Sequence, residues 1–175
     1  MLTPVLTDGA YVRVEPEIGF VLARDLQPRV SGYNEKEIPD AIGETRLVLE
    51  LIGGRYAEPA TASFPELLAD DLSNQGLFIG PLLQCAPNEI PCEFPITVES
   101  PEGIMLKRDG RHPDGHPLKT FRWLIQFLSQ RGEEMRAGQV FITGSFASVL
   151  EVSVSRSLRF HFDELGVLDV QFCVA

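Results

Sequence analysis

Val14-Glu15-Pro16-Glu17-Ile18-Gly19-Phe20-Val21-Leu22 is the stretch on which the reading of this chain turns. It reads as a strand carrying two carboxylates. Side chains alternate faces along a strand, so Glu15 and Glu17 point the same way. Pro16 lacks a backbone donor, which suits an edge or a strand start. Two like charges side by side repel unless something positive lies between them. A hard divalent cation such as Mg²⁺ or Mn²⁺ favours carboxylate oxygens and would serve. The plainer alternative is two solvated glutamates on an edge strand.

A second strand is read over Thr45–Ile52, where Leu47, Val48, Leu49, Leu51 and Ile52 form an apolar run interrupted by Glu50. A carboxylate in a buried strand is costly unless paired or coordinated; on a half-exposed strand Glu50 would simply face water. Gly53-Gly54 ends this strand and Arg55 follows. Further on, Ala69-Asp70-Asp71-Leu72-Ser73-Asn74 is a polar knot of turn-forming residues. It precedes a short apolar strand over Gly76–Pro81. Glu93–Val98 and Gly103–Lys107 read as a hairpin joined at Pro101-Glu102-Gly103.

His112 and His116 are four residues apart, but Pro113 and Gly115 deny the helix that would align them, so they are read as loop residues. The best helix runs from Pro117 to Arg131. Its apolar face carries Leu118, Phe121, Leu124, Ile125 and Leu128, Gly132 stops it, and Trp123 and Phe127 make it apolar enough to expect it largely buried. Val140–Thr143, Val149–Val154, Leu158–Phe162 and Leu168–Val174 read as strands. The first thirteen residues are expected to be a lead-in with a turn at Asp8-Gly9. Many strands and one long helix give an α+β class with a β-rich core.

The 175 residues suffice for one domain with a real core. The net charge of −10 argues against nucleic acid as a partner. No apolar run approaches the ~20 residues of a membrane span, so no membrane association is expected. Cys85, Cys92 and Cys173 are odd in number and lack metal-type spacing, so the default is a reducing, cytoplasmic location.

Taken in order, these landmarks resemble the fumarylacetoacetate hydrolase superfamily, in its branch of 2-oxopent-4-enoate hydratases and oxalocrotonate decarboxylases. The matching pieces are Val14–Leu22, Leu49-Glu50-Leu51-Ile52-Gly53-Gly54-Arg55, Ala69-Asp70, Gly76–Gly80, Gly115-His116-Pro117-Leu118 with Trp123-Leu124, Arg136-Ala137-Gly138, and Ile142-Thr143-Gly144-Ser145. The resemblance implies a compact β-rich roll of mixed sheets in a single domain, residues 1–175. It implies that Glu15, Glu17 and Glu50 hold Mg²⁺ or Mn²⁺, and that Asp70 serves proton transfer or orientation. It further implies a small 2-oxo or 2-hydroxydienoate acid as substrate, chelating the ion through one carboxylate oxygen and the 2-oxo oxygen, with the ion stabilising an enolate. A homo-oligomer and a partner enzyme of the same pathway follow as expectations.

The chain departs from the family pattern at Asp71, where Asn is usual, and at Ser155-Arg156, where Gly-Asp is usual. Family hydratases also carry an N-terminal segment with a catalytic lysine. Only Met1–Arg13 precede the strand in this sequence and none of them is Lys, so a lid and one acid–base group are expected to be missing. Three functions stay open on these grounds: a metal-dependent lyase, a binding or assembly subunit that keeps the core, and a C–C bond hydrolase.

Overall fold

The computed structural model describes residues 2–7, 9–58 and 61–175. The described residues hold ten strands and two α-helices: β1 Leu2–Val5, β2 Tyr11–Leu22, β3 Ile42–Ile52, α1 Phe64–Ala69, β4 Asn74–Leu82, β5 Glu93–Ser100, β6 Gly103–Arg111, α2 Pro117–Gln130, β7 Val140–Ile142, β8 Leu150–Ser153, β9 Ser157–His161 and β10 Val167–Val174. They form two five-stranded sheets. One has the order β1-β10-β9-β5-β6, with β1 parallel to β10 and the other pairs antiparallel. The other is antiparallel, with β4-β3-β2 flanked by β7 and β8, both of which pair with β2. The class is the α+β, β-rich, mixed-sheet arrangement expected.

The alternation of β2 divides its residues between two environments. Val12, Val14, Ile18, Phe20 and Leu22 are buried in the core with Leu47, Leu49 and Leu51 of β3. The same core takes Ile96 and Val98 of β5, Phe160 of β9 and Leu168 and Phe172 of β10, so the inner faces of both sheets close on one interior. The other face of β2 carries Tyr11, Arg13, Glu15 and Glu17, grading from exposed to fully covered along the strand.

Several expectations are revised. β2 is a central strand, so Pro16 sits neither at an edge nor at a strand start. β8 pairs with Tyr11–Val14 and β7 with Gly19–Val21, leaving a gap between them on one side of β2. The Pro16 carbonyl accepts from Phe146 N (3.0 Å) in that gap. The N and O of one strand residue point to the same side, so the missing proline N–H falls where no ladder bond was due. The lead-in contains β1. Gly9 and Ala10 form a bend, while Asp8 lies outside the described residues.

Helix α2 is buried along one face only. Leu118, Phe121 and Ile125 are buried, with Phe121 against Phe20 and Phe141 at 4.9 and 5.6 Å between ring centres. Leu124 and Leu128 are half-buried. Trp123 is 61% exposed and Phe127 41% exposed, and their rings stack on each other at 5.2 Å instead of entering the core. His116 caps the helix through Nδ1, which accepts from Leu118 N at 3.1 Å.

Candidate metal centre

The register of β2 and β3 sets Glu15 directly opposite Glu50, with Glu17 two residues along on the same face. One ligand atom from each of the three carboxylates lies within 4.8 Å of the others. Glu17 is 1% exposed, and Glu15 and Glu50 are half-buried. Glu50 therefore neither sits in the core nor stands alone on a wet face.

Two features hold this geometry. Glu17 Oε2 accepts from the backbone N–H of Thr143 (3.1 Å) and of Gly144 (2.8 Å), which come from the segment that fills the gap between β7 and β8. Glu50 Oε1 accepts from Asn74 Nδ2 at 2.7 Å. Asn74 is placed by the polar knot before it, where Asp71, Leu72 and Ser73 all take left-handed backbone (φ 51°, 54° and 67°). That conformation disfavours non-glycine residues, and here it turns Asn74 onto β3 while Ser73 O accepts from Gly53 N at 2.7 Å.

Burial pushes the Glu17 carboxyl up to about 8, reinforced by Glu50 and Glu15; the two backbone N–H groups act in the opposite sense without cancelling it. Burial, and then the neighbouring Glu50 charge, also raise Glu15. Among the described residues no lysine or arginine contributes to either shift. Three carboxylates with no cation among them, one of them almost fully buried, form a set that a hard divalent ion would complete with oxygen ligands.

Asp70 is placed differently. Its Oδ1 accepts from Arg55 Nη1 (2.7 Å) and its Oδ2 from Arg55 N (2.9 Å), and the same guanidinium donates to Asn74 O (3.0 Å). These bonds hold the Asp70 carboxyl below the usual carboxylate range. Asp70 thus stands outside the carboxylate cluster, ionised and clamped, one step behind Asn74. His112 and His116 form no metal pair. His112 Nδ1 accepts from Asp114 N (3.2 Å) and His116 Nδ1 is the helix cap. Burial lowers the pKa of both rings, favouring the neutral form.

The face bearing the carboxylates continues past Arg13 and Ile52, themselves paired across β2 and β3, into an open cavity of about 920 Å³. Tyr11, Arg13, Arg55, Tyr56 and Glu151 supply its polar lining.

A cluster of strand-borne carboxylates beside an arginine-lined cavity, on a mixed-sheet roll, is a donor set of the class that suits a hard divalent cation. Comparisons with known proteins narrow it. No family model matches the chain. A 2-keto-4-pentenoate hydratase of Paraburkholderia xenovorans (strain LB400) is 26% identical over 168 residues, covering 91% of this chain and 58% of that protein. A 2-hydroxyhexa-2,4-dienoate hydratase of Comamonas testosteroni is 24% identical over 161 residues, covering 91% and 60%.

Among solved structures, 4-oxalocrotonate decarboxylase from Pseudomonas putida G7, complexed with magnesium and adipate, superposes with a TM-score of 0.69 at 21% identity, over 93% of this chain and 61% of that one. Fumarylpyruvate hydrolase from Pseudomonas aeruginosa, in complex with Mn²⁺ and pyruvate, gives 0.64 at 15% identity, over 99% and 72%. The chain is thus similar in sequence to 2-keto-4-pentenoate hydratases and shares its fold with 4-oxalocrotonate decarboxylase and fumarylpyruvate hydrolase, in line with the resemblance carried by its ordered motifs. It spans about six tenths of the length of the curated relatives it matches.

Sequence reasoning named the three glutamates and Asp70, and it missed what holds them. Asn74 lay in the polar knot, but nothing local distinguishes it from a turn residue. The Thr143 and Gly144 amides are backbone groups and carry no residue signature.

Proposed function

We infer that the chain is a divalent-metal-dependent lyase of hydratase or decarboxylase type, acting on a small 2-oxo or 2-hydroxydienoate acid of aromatic catabolism. The observation that carries this is the trio of Glu15, Glu17 and Glu50, drawn together and held without a compensating cation. Those three residues would hold Mg²⁺ or Mn²⁺. When bound, such an ion supplies Lewis-acid stabilisation of the negative charge that develops on a 2-oxo acid.

The chain's own groups do the rest. Thr143 and Gly144 fix Glu17, Asn74 fixes Glu50, and the cavity beside Arg13 receives an acid. Asp70 is assigned to orientation: through Arg55 it secures the turn that presents Asn74. A clamped, ionised aspartate is a poor proton shuttle, so within the described residues the binding platform is better provided than proton transfer. We therefore read residues 1–175 as one domain that binds metal and 2-oxo acid but turns over slowly alone.

The hydratase and decarboxylase relatives favour the lyase over an assembly subunit or a hydrolase. A homo-oligomer is supported by apolar side chains left exposed on α1, on the turn after it and on β4, namely Phe64, Leu68, Leu72 and Ile79. A partner enzyme of the same pathway is a further proposal. A cytoplasmic location fits the three free cysteines; no helix among the described residues is long and apolar enough to cross a membrane.

Calorimetric titration of Mn²⁺ into the wild type and Glu50→Ala tests the site. Saturable binding that is lost in the variant is expected, and equal binding by both, or none by either, refutes it. Turnover of 2-hydroxypenta-2,4-dienoate and 2-oxohex-3-enedioate is then measured with metal present. A rate below about 1 s⁻¹ is expected for the chain alone; a higher one would show that proton transfer is fully provided within it.

A further inference from the structure

His112 stands outside the carboxylate cluster, yet it is 1% exposed and both of its ring nitrogens are committed. Nδ1 accepts from Asp114 N at 3.2 Å, so the ring proton of the neutral tautomer resides on Nε2. Nε2 lies 3.2 Å from Thr143 Oγ1 and therefore donates to it. Thr143 N and Gly144 N in turn donate to Glu17 Oε2.

The surrounding backbone shows how closely these two segments are joined. Arg111 N donates to Phe146 O (2.7 Å), Phe146 N donates to Pro16 O (3.0 Å), and His112 N donates to Cys92 O (3.0 Å). The His112 ring meets Phe146 edge-on at 5.3 Å. Gly144 has φ +129°, and a Cβ there would come within 2.9 Å of Pro113 Cγ, so Pro113 lies directly against the backbone that supplies the second amide.

Segment 143–146 belongs to no strand and is pinned on one side by β2 and on the other by residues 111–113. Its contacts with 111–113 are mostly backbone or steric. The only side-chain hydrogen bond among them, within the described residues, is that from His112 to Thr143.

We propose that His112 is a positioning residue for divalent-cation binding: its Nε2–H fixes Thr143 so that the Thr143 and Gly144 amides occupy Glu17 Oε2 and leave Oε1 free for an ion. The proposal rests on the three-carboxylate reading. Its physical basis is pre-organisation, because outer groups that orient a ligand typically change metal affinity by about 10–100-fold when removed.

The test is Mn²⁺ titration by calorimetry of the wild type, His112→Phe, His112→Gln, Thr143→Val and the double variant His112→Phe/Thr143→Val, with thermal unfolding recorded for each. Phenylalanine keeps the ring and its contact with Phe146 but removes the donor; glutamine restores a donor. Weakening of about tenfold is expected in His112→Phe and in Thr143→Val, with no further loss in the double variant and near-wild-type affinity in His112→Gln. Amide hydrogen exchange of Thr143 and Gly144 in the metal-free protein should quicken in His112→Phe, which reports the positioning without any metal.

Wild-type affinity in a folded His112→Phe, or losses that multiply in the double variant, would overturn the proposal. If His112→Phe does not fold, Thr143→Val decides it: unchanged affinity and unchanged exchange there refute the link. Absence of Mn²⁺ binding by the wild type would instead refute the carboxylate site itself, and the exchange measurement would still judge the role of His112.

Discussion

Glu17 gives the sharpest quantitative test of the site. In the ion-free protein its carboxyl is raised from an ordinary 4.5 to about 8, first by burial and then by Glu50 and Glu15. The folded state therefore holds a proton that the unfolded state releases above 4.5. A group raised in this way contributes stability in full below its unfolded value, and that contribution is lost as pH climbs through the folded value. The ion-free protein should accordingly lose stability between about pH 4.5 and pH 8.

The full difference corresponds to at most ~5 kcal/mol at about 1.36 kcal/mol per pH unit. Part of the rise is repulsion shared with Glu15 and Glu50 and relaxes if either of them protonates, so about 2–3 kcal/mol is expected. Glu17→Gln removes the titrating proton while its carbonyl can still accept from Thr143 and Gly144. Its stability should fall less steeply than that of wild type over the same window, since Glu15 is still raised, and exceed that of wild type at pH 8.

The assay is urea unfolding of EDTA-treated protein at pH 5, 6.5 and 8, followed by far-ultraviolet circular dichroism, since the single tryptophan, Trp123, is 61% exposed and a weak reporter of the core. Saturating Mn²⁺ should reverse the wild-type slope, because the ion displaces the proton and binds only the folded state. A flat wild-type profile without metal, or the same slope in Glu17→Gln, would refute the picture of a buried, uncompensated carboxylate.

Other outcomes are expected on the same grounds. Glu50→Gln should lose most of the Mn²⁺-dependent rise in Tm, and a rise equal to wild type would remove Glu50 from the site. Asn74→Ala frees the Glu50 carboxylate and should weaken Mn²⁺ binding by about tenfold or more in a titration, with little change in far-ultraviolet circular dichroism. Phe121→Ala, at a fully buried ring between Phe20 and Phe141, should cost roughly 3–5 kcal/mol in urea unfolding. Trp123→Ala on the exposed face of the same helix should stay within about 0.5 kcal/mol; a larger cost there would mean that the outward face of α2 is covered.

Local pattern revealed the elements whose signal is local. The hairpin of β5 and β6, the span of α2 and the shared face of Glu15 and Glu17 all follow from alternation, helical spacing and turn chemistry. Elements whose reason is distant were not legible. β1 is four residues long and exists because β10, at the other end of the chain, offers it a parallel edge. Trp123 and Phe127 are apolar, but helical periodicity sets them off the face of Phe121 and Ile125, and composition was the wrong guide to their burial. For Asp70 the family resemblance leaves proton transfer and orientation both open. Only the position of Arg55 shows that its charge is already committed.

The position of Pro16 explains why the two glutamates could be found from sequence and their supports could not. A central strand with a continuous neighbour on both sides would spend every backbone donor and acceptor on the ladder, and no outside segment could reach a side chain midway along it. β2 avoids this because β8 stops pairing at Val14 and β7 does not begin until Gly19. Proline tolerates that interruption, having no N–H to leave orphaned, and its carbonyl takes Phe146 N. The segment so anchored brings the Thr143 and Gly144 amides against Glu17. Glu15-Pro16-Glu17 is thus more than a pair of like charges on one face: the residue between them keeps open the gap through which the buried one is held. The carboxylates are a property of the sequence, whereas the hold on Glu17 arises only when residues more than a hundred positions away close that gap.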